Sequence, residues 1–352
     1  MPLPRRRFLR LLWPWAAALA LHRHDLRRPM IPRYPVSDHY DGTRFFNPGE
    51  NPRGFRDLIR WQRNRKPGLW PAWIENRATP RLPAAIGPGE GAVTFVNHAT
   101  FLLQFAGLNV LTDPIWSERC SPVSWAGPRR RRAPGLAFGD LPRIDVVLLS
   151  HNHYDHLDRP TLRRLHAAHR PLVITPLGNQ PLLAASGLDR VVELDWWQSC
   201  EPRPGVRVTV TPAQHFAARG LDDRMRTLWG GFMLEAGGGR VWFAGDTGYF
   251  PGFGEIGRRL GAPDLALLPI GAYEPRWFMG PVHCTPAEAI RAHRDVGARR
   301  SLAMHFGCFP LADDGYQQPI DDFLTARAAE RMPEDEFALP EVGETRLVRF
   351  GV

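Results

Sequence analysis

From Ala92 onward the chain is written in short apolar, β-branched runs closed by turn residues, at 93–96, 101–105, 110–112, 146–149, 206–210 and 241–244. Runs of that length and composition predict strands. Segments with helical spacing stand between them at 160–169, 286–296 and 320–330. Pro160 and Pro286 open the first two, as suits a helical position whose N–H has no partner, and Thr285 caps the second. Strands in consecutive runs, with fewer helices set between groups, predict an α+β sandwich in which two sheets pack face to face and helices cover the outside. A doubly wound sheet would alternate more strictly. No GxGxxG or Walker-type loop follows any run, so phosphate binding at a helix N-terminus is not signalled.

Ahead of this region the pattern lapses. Residues 29–90 are dense in Pro, Gly and Arg, with a helix expected over 55–65 and Trp61, Trp70 and Trp73 as apolar anchors, which predicts an extension wrapped on a domain spanning 91–352. Residues 1–28 form a separate arm. Arg5-Arg6-Arg7-Phe8-Leu9-Arg10 is a basic start of twin-arginine type, and the apolar stretch after it ends in Ala18-x-Ala20. Two readings stay open: an export signal cleaved after Ala20, placing the protein in the periplasm, or a basic-apolar arm on a cytoplasmic protein peripheral to a membrane.

Composition adds little to the fold. Hydrophobic residues at 43% and charged residues at 23% of 352 are ordinary values for a globular chain. The formal charge of +9 suits anionic partners, either phospholipid head groups or nucleic acid. Arginines are spread along the whole chain with no stacking-aromatic module, so no nucleic-acid partner is expected. Cys120, Cys200, Cys284 and Cys308 lie far apart with no CxxC pair; they read as small core residues, not a disulfide framework or a thiolate metal site.

Candidate chemistry sits in Ser150-His151-Asn152-His153-Tyr154-Asp155-His156-Leu157-Asp158. An apolar strand runs straight into four potential ligands within six residues. His151 and His153, two apart in an extended chain, project to one side and can chelate one ion, while Asp155 and His156, just past the turn, can reach a second. Imidazole and carboxylate donors without thiolates suit a catalytic zinc, manganese or iron site better than a closed structural one. Such clustering has no packing rationale. Three more candidates each follow an apolar run: His215 after 208–210, Asp246 after 241–244 and His305 after 301–304. Strand ends sharing one edge of a sandwich can bring them together, although each alone could be a core or turn residue.

His151-x-His153-x-Asp155-His156 with His215, Asp246 and His305 resembles the signature of the metallo-β-lactamase superfamily over residues 92–352. The resemblance implies an αββα sandwich of two mixed sheets flanked by helices, with two zinc ions along one edge. It implies that His151, His153 and His215 hold one zinc, that Asp155, His156 and His305 hold the other, and that Asp246 bridges them. The stretches 149–158, 192–197 (Val-Glu-Leu-Asp-Trp-Trp), 243–249 (Phe-Ala-Gly-Asp-Thr-Gly-Tyr) and 268–279 (Leu-Pro-Ile-Gly-Ala-Tyr-Glu-Pro-Arg-Trp-Phe-Met) are similar to one branch, the N-acyl-phosphatidylethanolamine-hydrolysing phospholipase D family. The match departs at Asn97-His98-Ala99-Thr100, where Gly is expected before His98, and throughout the proline-rich extension.

By that resemblance the substrate is a phospholipid, the products are phosphatidic acid and an N-acylethanolamine, and a hydroxide shared by two metals attacks phosphorus. Asp155 and Asp246 belong to the catalytic set. His283 either binds phosphate or protonates the leaving group, or else caps the following helix. Tyr154 either points its hydroxyl at substrate or packs. Asp113 and Asp158 either support ligand histidines or form turns. Arg129-Arg130-Arg131-Arg132 reads as a solvated charge run or an anionic-membrane contact, and Trp196-Trp197 and Trp277-Phe278-Met279 as core or an acyl groove. Competing functions are a dinuclear hydrolase of a lactone, a cyclic nucleotide or RNA, and a noncatalytic metal-bound protein on a membrane.

Overall fold

Two seven-stranded mixed sheets stand face to face in the computed structural model, which describes residues 33–47, 49, 52–220 and 222–351. Residues 1–28, with their signal-like motif, lie outside the described residues. The first sheet contains β1 (Glu90–Asn97), β2 (Thr100–Phe105), β3 (Leu108–Thr112), β4 (Val146–Leu148), β5 (Leu172–Pro176), β6 (Val191–Leu194) and, at its edge beside β1, β14 (Thr345–Arg349). The second runs β13 (Phe337–Ala338), β12 (Ser301–Met304), β11 (Leu265–Pro269), β10 (Gly239–Phe243), β9 (Gly231–Ala236), β8 (Val206–Thr211) and β7 (Ser199–Arg203) in spatial order.

The continuous apolar runs have a structural reason. Side chains alternate across a strand, and the first sheet is buried on both faces. Val146 and Leu148 point into the core between the sheets, with Phe101, Leu103 and Val110. Val147 and Leu149 point outward, into a second cluster under α2 (Arg159–His169) and α3 (Gln180–Ala184), whose Leu162, Leu165 and Leu183 cover them. Each fully buried Leu or Phe contributes about 1.5–3 kcal/mol relative to exposure. The outside of the second sheet is covered by α4 (Gly252–Leu260), α6 (Pro286–Val296) and α7 (Gln318–Ala329), which pack on one another. The Thr285 cap expected from sequence is present: Glu288 N–H donates to Thr285 Oγ1 at 3.1 Å, and the Thr285 N–H donates to Glu288 Oε2 at 2.8 Å.

Strand direction decides what the fold can build. In the second sheet β8 and β10 are both antiparallel to β9, while β11 and β12 are parallel to β10, so β8, β10, β11 and β12 end at one edge. In the first sheet β1 and β3 are both antiparallel to β2, and β4 is parallel to β3, so β1, β3 and β4 also share an end.

The extension wraps on the sandwich. Tyr40 and Phe45 enter the main core. α1 (Phe55–Asn64) packs on α5 (Arg276–Met279), with Trp61 stacked on Phe278 at 4.9 Å and its Nε1–H donating to Asp313. Beyond α1, the Trp70 Nε1–H donates to the Asp314 carbonyl, and the Ile74 N–H to that of Arg131. Trp73, expected as an anchor, is exposed, because the chain there is held through its backbone. Cys120, Cys284 and Cys308 are buried as expected; Cys200 is only half-buried, since β7 is an edge strand. The charge run at 129–132 divides: Arg129 is exposed and paired with Glu118, whereas Arg130 and Arg132 are buried, and Arg130 donates to the carbonyls of Ser117 and Ile115. Trp196 is core, its Nε1–H donating to the Trp229 carbonyl, and Trp197 is half-buried beneath Arg259.

Candidate metal centre

β4 ends at Leu148 and the chain continues extended through Ser150, whose carbonyl accepts from Gly230 N–H across to the second sheet. His151 and His153 follow. A single helical turn, with the N–H groups of His156 and Leu157 donating to the His153 carbonyl, then swings Asp155 and His156 onto the far side of the same space. His215 lies four residues past β8, Asp246 three past β10, and His305 directly after β12, so the shared strand direction delivers all three to the β4 loop. Asn47 of the extension grips His215 on both sides, its Nδ2–H donating to the His215 carbonyl and its Oδ1 accepting the His215 N–H.

The donor atoms converge on two points. His153 Nδ1 is 2.8 Å from His151 Nε2 and 3.3 Å from His215 Nε2. On the other side, Asp155 Oδ2 is 3.2 Å from His156 Nε2 and 3.4 Å from His305 Nε2. Asp246 Oδ2 stands between the groups, 3.1 Å from both His156 Nε2 and His305 Nε2 and 3.8 Å from His215 Nε2. Four ligands placed tetrahedrally about a zinc-sized ion lie about 3.3 Å apart, so these separations fit a shared cation at each point.

The polar accounting agrees. His156 Nε2 is buried beside two carboxylates without an aligned hydrogen bond, and Asp246 Oδ1 is buried with no partner. Atoms aimed at a common point rather than at one another suit a shared cation. Burial, together with the other imidazoles, drives His151 well below the ordinary histidine range and His153 down to about 3. Burial likewise lowers His215 to about 4. These imidazoles are neutral, with lone pairs free to ligate. Burial opposes charge on Asp155 and Asp246 too, but His156 and His305 hold both carboxyls well below their usual range. For His305, burial is outweighed by Asp246 and by bonds to both carboxylates, raising it to about 9, so an entering cation must displace its proton.

Outer contacts fix the rings. His156 Nδ1–H donates to Asp113 Oδ2 at 2.6 Å, and Asp113 also accepts from the N–H and hydroxyl of Ser150. The Ser150 oxygen faces His151 Nδ1 at 2.9 Å, so one buried carboxylate orients a ring in each cluster. Asp158, the other candidate for this role, accepts instead from Ser117 and Thr161 and opens α2. His215 Nδ1–H donates to the Val282 carbonyl at 2.9 Å. Gly271 backs His305 so closely that a Cβ would sit 2.1 Å from its carbonyl oxygen.

His283 is half-buried, with its donor atom within 4.8 Å of those of His215 and Asp246 and its Nδ1 without a partner. Burial, ahead of the charges around it, keeps it well below the usual range. Thr285, not His283, caps α6. The Tyr154 hydroxyl donates to the Arg219 carbonyl, and its ring lies 3.8 Å beneath the Arg219 guanidinium, which itself donates to the carbonyls of Asn152 and Leu157. Sequence reasoning passed over Ser150, Asn47, Arg219 and, at the end of β1, His98, whose Nε2 is 3.0 Å from Asp155 Oδ2. The ends of β1 and β4 lying together is the signal that would have found His98.

Buried imidazoles and carboxylates converging at one edge of a two-sheet sandwich define the class of metal-dependent hydrolases. A family model described as a beta-lactamase superfamily domain matches residues 108–306. The chain is 39% identical over 266 residues to N-acyl-phosphatidylethanolamine-hydrolyzing phospholipase D 1 of Caenorhabditis elegans, covering 71% of this chain and 74% of that one. It is 33% identical over 275 residues to the mitochondrial enzyme of the same description from Saccharomyces cerevisiae, covering 75% of this chain and 58% of that one. Among solved structures, an isothiocyanate hydrolase from Delia radicum gut bacteria aligns with a TM-score of 0.59 at 20% identity, over 74% of this chain and 100% of that one. The chain belongs to the metallo-β-lactamase superfamily, is a hydrolase, and resembles the N-acyl-phosphatidylethanolamine-hydrolysing phospholipases D.

Proposed function

We propose that the protein is a two-zinc phosphodiesterase of the phospholipase D type, which cleaves N-acyl-phosphatidylethanolamine-like lipids to phosphatidic acid and an N-acylethanolamine. The observation that carries it is Asp246 Oδ2, within 3.1 Å of both His156 and His305 and 3.8 Å of His215, a carboxylate oxygen shared by two donor sets. The two relatives described by that activity support the choice of substrate.

His151, His153 and His215 would hold the first ion and Asp155, His156 and His305 the second, with Asp246 within reach of both. When bound, the pair supplies Lewis-acid activation of water and charge stabilisation at the phosphoryl oxygens. Asp113 keeps His156 turned inward and, through Ser150, His151 as well. His283, held neutral by burial, presents one N–H to a phosphoryl oxygen and orients it for in-line displacement. Packing of Trp61 on Phe278 anchors the segment that carries His283.

A membrane face fits beside the site. Among the described residues no helix is long and apolar enough to cross a membrane. α1, however, presents Phe55 and Ile59, one turn apart and 64% and 39% exposed, next to Trp277, 39% exposed. Arg60 lies over the Trp277 ring, and Arg56 and Arg63 flank the same helix. Apolar side chains ringed by arginines suit an anionic lipid surface. Exchanging Phe55 and Ile59 for Ser should weaken binding to phosphatidylglycerol vesicles about 30-fold or more in a co-sedimentation assay, at about 1–2 kcal/mol per side chain withdrawn, with metal content unchanged. Equal sedimentation of variant and parent would remove this face.

The deciding experiment offers protein of determined metal content N-acyl-phosphatidylethanolamine, ordinary phosphatidylethanolamine, a lactone and RNA. Preferential release of N-acylethanolamine from the first is expected. No turnover of it, or faster turnover of another ester, overturns the assignment.

A further inference from the structure

The turn joining β1 to β2 carries an unusual histidine. His98 is 1% exposed and adopts φ +47, a left-handed conformation that costs a non-glycine residue free energy. Its carbonyl accepts the N–H of His305, which is itself left-handed at φ +61. Two strained residues, one from each sheet, are thus joined backbone to backbone at the metal centre. Their rings lie 4.1 Å apart, centroid to centroid. His98 Nε2 stands 3.0 Å from Asp155 Oδ2, while its Nδ1 is buried with no partner.

The geometry points to His98 as a positioning residue that holds the Asp155 carboxylate and thereby determines how tightly the second ion is bound. This inference rests on the two-ion reading given above. Asp155, His156, His305 and Asp246 already supply four protein donors on that side, so a fifth would close the position a water needs. Hydrogen bonding to Asp155 is the role that remains. A proton on Nδ1 would leave a buried donor unpaired and turn the Nε2 lone pair toward a carboxylate oxygen; a proton on Nε2 removes both costs. The Nε2–H therefore donates to Asp155 Oδ2, which keeps its other lone pair for the ion. A ligand carboxylate fixed in this way needs no rearrangement when the ion arrives, and outer contacts of this kind are worth 10–100-fold in metal affinity.

The test measures metal affinity, with stoichiometry from elemental analysis after equilibrium against a graded zinc chelator. The parent should hold two ions. His98→Ala should keep the first with unchanged affinity and bind the second about 10–100-fold more weakly. His98→Gln, whose side-chain N–H falls near the position of Nε2, should recover most of that loss. His98→Asn, at ease with a left-handed backbone but too short to reach Asp155, should not, which separates reach from turn strain. Cobalt-substituted His98→Gln should keep the parent's absorption bands, because no ligand nitrogen has been removed.

If His98→Ala binds both ions as the parent does, the inference fails. It fails equally if His98→Gln behaves as His98→Ala and the cobalt bands change, since His98 would then be a ligand. A parent that binds only one ion would instead defeat the two-ion reading.

Discussion

Asp246→Asn is expected to lower turnover of bis(p-nitrophenyl) phosphate and of N-acyl-phosphatidylethanolamine by about 10³-fold or more, the upper range for removing one preorganised charge-stabilising group. The reason is the sharing. Asp246 Oδ2 is the oxygen that approaches donors of both clusters, and its buried partner Oδ1 has nothing else to bind. An amide has nearly the same shape but no charge, so the sheets should remain folded while at least one of the two ions is lost. Circular dichroism, elemental analysis and initial rates on the same preparation separate these effects. Two ions retained with activity within tenfold of the parent would show that no shared carboxylate is needed.

The second large effect is expected at Asp113, which touches no substrate. Both Asp113 and His156 side chains are fully buried, 2.6 Å apart, and Asp113 also receives both hydrogens of Ser150. Removing one partner of a buried pair typically costs about 3–5 kcal/mol, because the other charge is left uncompensated. Asp113→Ala should therefore lose stability of that order in the metal-free protein and bind both ions more weakly. Asp113→Asn tolerates the φ of +31 at this position and keeps the shape, but it turns an N–H toward His156 or Ser150. It should lose less stability than Asp113→Ala, and about 10–100-fold in metal affinity. Denaturant unfolding beside chelator competition measures both. Parent-like affinity in Asp113→Asn would reduce Asp113 to a packing role.

These effects share one physical basis, buried imidazoles and carboxylates packed closely together at one edge of the sandwich. Neutral His151, His153 and His215 crowd one side, and on the other two carboxylates face His156 and His305. The fold keeps them there by fastening their backbones elsewhere. Asn47 clamps His215, Arg219 ties down the loop around Tyr154, and Gly271 allows the close approach of His305. The extension is therefore part of the site's scaffold as well as a cover over the sandwich.

Local chemistry alone determined a good deal. Short apolar, β-branched runs closed by turn residues marked β1 to β4, β8 and β10, because strands covered on both faces carry apolar side chains at nearly every position. Helices α1, α2, α6 and α7 were visible from spacing and caps to within one or two residues at their ends. The run from His151 to His156 showed its chemistry because four donors within six residues have no use in a core. Other features depended on tertiary structure. β7 and β14 are edge strands whose alternation is weak, and the four-residue α5 has no period to detect. The four arginines at 129–132 look solvated in sequence, yet every second one turns inward where neighbouring carbonyls accept its hydrogens. Asp113 and Asp158 read alike as turn aspartates; strand direction put the first under His156 and left the second opening a helix. His98 stood out in sequence only where the family match departs, because the contact with Asp155 depends on β1 and β4 ending at one edge of the molecule.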